Sequence, residues 1–280
     1  MKRVRRFMKH KLGVIGLAIL VFFGLVAIFA PYIAPYDPNE IDTSRLPSPG
    51  MPAPPSKDHP WGTDDLGRDY LSRAIYGARI SMSVGFVSMG VSTIIGVTVG
   101  SIAGYFGGQV DNIIMRFIDV LLCFPTFFLL LTIQATLKPS LYNVMIVVGL
   151  TSWMGMARMV RAEFLSLRER EYVEAARALG FGGLNIIFKQ ILPNALGPII
   201  VSTTMGIPGA ILMESALSFM GLGTQPPTAS WGSMLSRAQV YLRTSWWVAF
   251  YPGLLIALTV LAFNFVGDAL RDALDPRTRV

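Results

Sequence analysis

Residues 158–197 read RMVRAEFLSLREREYVEAARALGFGGLNIIFKQILPNALG, and the reading of this stretch decides the fold. Ten charged side chains fall between Arg158 and Lys189, with apolar runs of about bilayer length on either side. Burying all of them in lipid at about 2.5 to 3.5 kcal/mol each would cost tens of kcal/mol, so the segment lies in water or against a partner. Glu171 to Leu179 is a strong helix former with acids in its first turn, which suits the helix dipole. Gly180 supplies a carboxyl-terminal stop, and Gly182 with Gly183 a flexible corner. A second short helix is expected from about Leu184 to Leu192, with Leu184, Ile187 and Ile191 on one face and Pro193 opening the next apolar run. Two short helices at a hinge form a rigid knob that leaves Ala175, Ala176, Ala178 and Phe181 in water unless something covers them. An apolar patch bounded by charges marks a docking surface; an amphipathic pair lying on the membrane is the alternative.

Composition agrees with a membrane setting. Of 280 residues, 52% are hydrophobic and 15% charged, with a mean hydropathy of +0.53. A soluble domain carries about a quarter of its residues charged. The net charge of +7 does not argue for nucleic acid, because the basic residues sit between apolar runs. A helix needs roughly 20 apolar residues to cross the hydrocarbon core. Six segments meet or approach this: Leu12 to Ile33, Ile80 to Phe106, about Ile113 to Leu137, about Leu141 to Ala157, about Leu196 to Phe219 and about Trp246 to Val266. The first follows Lys2, Arg3, Arg5, Arg6, Lys9 and Lys11. It is expected to be an uncleaved anchor: Pro31 would follow the Ala27/Ala30 pattern of a signal peptide, and the run is too long for one.

Basic residues near span ends set the orientation. The amino-terminal cluster, the tight turn around Gly107, Gly108 and Asp111, the segment from Arg158 to Asn194, and a tail holding Arg271, Arg277 and Arg279 are expected in the cytoplasm. The opposite side receives Arg45, Lys57, Arg68 and Arg73 diluted by acids, with Lys138, Arg237 and Arg243. Both termini therefore face inward, in a multi-pass membrane protein. Prolines crowd residues 35–60 and favour an extended exterior linker. Asp64 or Asp65 is expected to cap a short helix from Leu66 that runs into the second span. Gly96, Gly100 and Gly104 form the four-residue spacing that lets two helices approach closely in lipid. Pro125 and Pro208 with Gly209 are expected to kink their helices.

Catalytic signatures are missing from the sequence. It contains no GxxxxGK[ST], HExxH or GxSxG. Cys123 is the one cysteine and His10 and His59 the two histidines, which leaves no Cys-based zinc cluster or disulfide framework. The chain is thus expected to be no enzyme, with no metal site and no cofactor of its own. Asp119 and Arg116, one turn apart, read as an interfacial salt bridge. Glu214 lies at membrane depth and should face water or protein. Gln134, Asn143, Glu214 and Asn264, with Thr203 and Thr204, are polar candidates for lining a pathway.

Four stretches together resemble a known family. Glu174, Ala175 and Ala176, then Gly180, then Ile191, Leu192 and Pro193 are similar to the EAA loop of bacterial ABC importer permeases. Gln190 stands where that pattern has isoleucine. GTDDLGRDYLSRAIYGARIS from Gly62, ALSFMGLGTQPPTASWGSML from Ala216 and FVGDALRDALDP from Phe265 resemble the C-type permease subunit of dipeptide and oligopeptide importers. The resemblance implies an all-α type I importer transmembrane domain of six helices. Residues 1–34 hold the basic terminus and extra helix, 35–76 the extracytoplasmic loop, 77–267 the transporter domain with its coupling loop at 160–195, and 268–280 a tail. It also implies a coupling helix in which Glu174 and Arg177 make polar contacts and Ala175, Ala176 and Gly180 allow close approach to an ATPase. The implied partners are two cytoplasmic ABC ATPases, which bind ATP and Mg, a homologous second permease, a peptide-binding protein outside, and membrane lipid. Nickel or glutathione is the rival cargo, and an ion-coupled carrier acting alone the rival machine.

Overall fold

The computed structural model describes residues 2–137 and 140–274. Lys138, Asp275, Pro276, Arg277 and Arg279, used above, lie outside the described residues, as do the side chains of Lys2, Arg3 and Arg5. Helix α1 (Lys2–Lys9) turns at His10, whose Nδ1 accepts from the Gly13 amide at 3.1 Å, into α2 (Lys11–Ile28) and the single turn α3 (Ala30–Ile33). After residues 34–69 come α4 (Tyr70–Phe106), α5 (Gly108–Leu122), α6 (Thr126–Thr136) and α7 (Leu141–Leu167). The knob follows as α8 (Glu171–Ala178), α9 (Gly183–Asn185) and a π-helical turn, Ile186–Ile191. The chain ends in α10 (Leu192–Phe219), α11 (Trp231–Ala238) and α12 (Trp247–Leu274).

Among the described residues there is no strand, and five helices are long and apolar enough to cross a membrane: α2, α4, α7, the continuous run Gly183–Phe219, and α12. The third expected span is instead broken: α5 and α6 meet at 79° across residues 123–125. Pro125 stands at the amino-terminal cap of α6 in extended conformation, which a single helix through 113–137 cannot accommodate. Pro198 and Pro208, by contrast, sit inside an α10 that runs unbroken from Leu192 to Phe219.

The close pairing expected of the glycine repeat is that of α4 with α7. A methyl added at Gly96 would press on Met156 and the Trp153 carbonyl, at Gly100 on Val160 and the Ala157 carbonyl, and at Gly104 on Phe164 and the Arg161 carbonyl. Gly149 of α7 returns the fit, facing Val91 and the Ser88 carbonyl, and the Ser88 hydroxyl donates to the Met145 carbonyl at 2.9 Å. Without a water-driven apolar force between helices in lipid, such backbone proximity is what holds a bundle together. α2 lies on α12 in the same way, with Gly13 and Gly16 against Phe265, Ala262 and Ala269.

Residues 34–69 are no loose linker. Apart from the 3-10 turn Thr43–Arg45 they lack helix, as their prolines dictate, yet they are fastened to the head of α4. The Arg73 guanidinium donates to the Pro38 carbonyl at 2.9 Å, the Ser72 hydroxyl accepts from the Tyr36 amide at 3.1 Å, and His59 Nδ1 lies 2.9 Å from Asp69 Oδ1. Neither Asp64 nor Asp65 caps the second span. Asp69 does so, its Oδ2 accepting from the Ser72 amide at 2.7 Å, while Asp64 accepts from the amides of Leu66 and Arg68 and pairs with the Arg68 guanidinium at 2.7 Å. A helix cannot start at Leu66 because Gly67 has φ +76° and the space its side chain would take is filled by the Asp42 carbonyl.

Candidate functional site

The knob begins where α7 ends. Arg168, the last helical cap of α7, reaches back to donate to the carbonyls of Gly104 and Tyr105 at 3.2 and 3.5 Å, so the free carbonyl end of α4 is capped by a cation from α7. α8 follows with Glu171 and Glu174 in its first turn and Arg177 in its last, each where the helix dipole favours it. It ends in a Schellman turn: the Phe181 amide donates to the Ala176 carbonyl at 3.1 Å and the Gly180 amide to that of Arg177 at 2.9 Å. Gly180 holds φ +79°, the left-handed conformation that this turn requires and that side chains disfavour.

The second half of the knob departs from expectation. It is not a separate helix ending at Pro193; α9, the π turn and α10 form one helix from Gly183 to Phe219. Pro193 falls in the first turn of α10, where the preceding π turn takes up its missing amide and its ring. The π turn also changes the faces. Ile187 and Ile191 are buried as expected, joined by Ile186, but Leu184 is 71% exposed. Ala176 is likewise buried rather than open to water, together with Val173 against Phe164, Val160 and Ile199. The knob thus shares a core with the spans on its inner side. Its outer side presents Leu179, Leu184 and Phe188, 77%, 71% and 62% exposed, with Phe181, Ala175 and Ala178 beside them and Glu171 and Glu174 at the edge.

Tyr105, at the end of α4, was not marked by any motif, yet it bears on the knob twice. The Arg177 guanidinium lies over its ring at 5.7 Å, and a Cβ at Gly183 would come within 3.2 Å of it. Two ion pairs add lateral fastening between α5 and α7. Arg161 grips Asp111 through both carboxylate oxygens, and Arg158 pairs with Asp119. The expected partner of Asp119 was Arg116; the observed one is across the helix interface.

The pathway candidates do not converge on one cavity. Gln134 of α6 is buried and donates to the Leu222 carbonyl at 3.1 Å. Thr203 meets Thr93 of α4 at 2.9 Å, Thr204 bonds within its own helix to the Ile200 carbonyl, and Asn143 and Asn264 are half-buried on α7 and α12. Glu214 is enclosed by protein: its Oε1 accepts from the hydroxyls of Ser218, Thr224 and Ser230 at 2.7, 3.0 and 2.7 Å. Gln134 and Glu214 therefore hold the return segment 220–230 from two sides.

The helical bundle thus carries a charged, glycine-jointed knob between α7 and the long helix Gly183–Phe219 that follows it. The MetNI methionine ABC transporter in inward-facing form shares the fold, at a TM-score of 0.60 and 20% identity over 73% of this chain and 97% of that one. Residues 96–280 match the binding-protein-dependent transport system inner membrane component, and residues 2–55 the N-terminal TM domain of oligopeptide transport permease C. The dipeptide transport system permease protein DppC of Alkalihalophilus pseudofirmus is 44% identical over 98% of this chain and 89% of its own length. The oligopeptide transport system permease protein OppC of Bacillus subtilis is 43% identical over 98% and 88%. The chain belongs to the family of binding-protein-dependent transport system inner membrane components.

Proposed function

We propose that this chain is one of two membrane-spanning subunits of an ATP-driven importer of dipeptides or oligopeptides, and that its knob seats in a groove of a cytoplasmic ATPase subunit. The observation that carries the reading is the two-sidedness of the knob: large apolar side chains face outward while Val173, Ala176, Ile186, Ile187 and Ile191 are built into the core of the spans. A handle so fused moves the spans when it is gripped. Glu174, Ala175 and Arg177 lie on the exposed surface available to the ATPase, Gly180 sets the turn that ends α8, and Ile191, Leu192 and Pro193 lie in the continuous helix that joins the knob to α10. ATP and Mg belong to the partner subunits. Their closure draws the knobs together and shifts the spans, residues 77–267, between inward- and outward-open states. The 34–69 segment and the 220–230 return face the delivering peptide-binding protein, and both termini face the cytoplasm. The names of the relatives support peptide as cargo over nickel or glutathione.

Reconstitution tests the reading. Vesicles holding this chain, a second permease, two ATPases and the binding protein should take up labelled dipeptide only with ATP on the knob side. Uptake by this chain alone under an ion gradient would overturn it, and competition by nickel or glutathione in place of peptide would reassign the cargo.

A further inference from the structure

Helices α2 and α12 touch closely at one end and part at the other. Around Gly13 and Gly16 there is no room for a methyl group between them. Towards Phe22 and Ile33 the two helices diverge and α4 does not fill the gap, leaving a slot of about 530 Å³ lined by Phe22, Val26, Ile75, Ala78, Leu254 and Leu258. No lining residue carries a charge. Trp231 forms part of the floor, its Nε1 already donating to the Ala74 carbonyl at 3.0 Å, and at the other end Trp61 and Tyr251 stack with ring centres 4.2 Å apart. A cavity with such walls does not hold water. The slot runs along apolar stretches of three membrane-crossing helices, α2, α4 and α12, with Trp61 and Trp231 from outside them closing it, and the exposed rim residues Phe22, Ile33 and Leu254 mark its open side. An apolar opening on such a surface adjoins lipid hydrocarbon.

We propose that the slot binds one acyl chain of a phospholipid, drawn from the leaflet that adjoins residues 34–69 and wedged between α2 and the body of the bundle. The stacked Trp61 and Tyr251 stand at the end nearest that segment, as aromatic rings with one polar edge do at a membrane surface. A separate polar cleft lined by Tyr36, Asp37 and Asn39 also takes in Ala34 and Tyr76, the chain neighbours of the slot's Ile33 and Ile75, and offers the headgroup hydrogen-bonding partners. The bound chain adds to the contact that Phe23 and Ala27 of α2 already make there with Ala78, Met82, Trp231 and Ile256.

Native mass spectrometry of the full chain purified in mild detergent tests this. The unaltered chain should retain one phospholipid through washing that strips the rest. Ile75→Trp combined with Leu258→Trp narrows the slot from two walls and should lower the retained fraction by about tenfold or more, the loss expected when even two buried methylenes are displaced. Leu258→Trp alone is the milder variant and should move retention the same way. Ile94→Trp, at a position of α4 that is 70% exposed and outside the slot, should leave retention unchanged. An unaltered chain that carries no phospholipid, or slot variants that retain as much as it does, overturns the assignment.

Discussion

The Ser230 hydroxyl donates to Oε1 of Glu214 at 2.7 Å, across sixteen residues of chain. Ser230 is also the amino-terminal cap of α11, where its hydroxyl accepts from the Ser233 amide at 3.0 Å. One serine therefore both starts a helix and fastens it to α10. Around it, Gly232 leaves no space for a side chain, since a Cβ there would meet the Ser215 backbone and the Glu214 carboxylate.

Removing the shared acceptor should be costly. Glu214→Ala strands the hydroxyls of Ser218, Thr224 and Ser230 in a buried site. At about 1–3 kcal/mol for an unsatisfied buried group, the variant should unfold at a clearly lower temperature in detergent. Glu214→Gln, which keeps an acceptor oxygen, should lose less. Equal midpoints for the two variants would contradict this account.

The notch between α4 and α7 makes a comparison within one helix. Gly100→Leu places bulk against Val160 and the Ala157 carbonyl, and overpacking of this kind costs about 1–3 kcal/mol. Gly90→Ala, with no atom within 4 Å of the new methyl, should be neutral. Thermal midpoints of the two variants, measured side by side, decide the point.

At Gly180 the backbone rather than space is decisive, because no atom stands near an added Cβ. Gly180→Val should strain the left-handed turn by about 1–2 kcal/mol and depress ATP-driven uptake while the chain still inserts normally. Gly180→Asn, which tolerates that conformation better, should retain more uptake. Wild-type uptake by the valine variant would remove the turn from the coupling role.

The two α5–α7 ion pairs should differ in value. Arg161 and Asp111 are largely shielded and doubly bonded, whereas Arg158 and Asp119 are about half exposed. A double-mutant cycle should return about 1–3 kcal/mol for the first pair and under about 1 kcal/mol for the second. Only the second should weaken further as salt is raised. A reversed order would mean that the shielded pair is offset by its desolvation.

What could be read from the sequence followed from local chemistry. Apolar runs placed five of the six expected spans but not the broken α5–α6 pair, the repeat Gly96, Gly100, Gly104 announced a close helix contact, and Gly180 announced the end of α8. Features fixed by distant partners were not legible. Asp119 chose Arg158 of another helix over its neighbour Arg116, and Asp69 rather than Asp64 caps α4 because the Asp42 carbonyl occupies the space beside Gly67. The π turn at Ile186–Ile191 has no simple residue signature, and Leu184, just ahead of it, is exposed while Ile186, Ile187 and Ile191 are buried. Tyr105 escaped notice because a lone aromatic near a span end is common, and its meaning comes from Arg177 and Gly183, more than seventy residues on.

Helix α4 is 37 residues long without interruption, about 55 Å at 1.5 Å per residue, while the hydrocarbon layer is about 30 Å thick. One stiff rod therefore reaches from Tyr105 under Arg177 to Asp69 beside His59. Its contact with α7 runs from Ser88 and Val91, beside Gly149, to Gly104, beside Phe164, so the rod is held along much of its length. The surface under Arg177 and the surface where residues 34–69 are fastened are thus two ends of a single helix, with no joint between them.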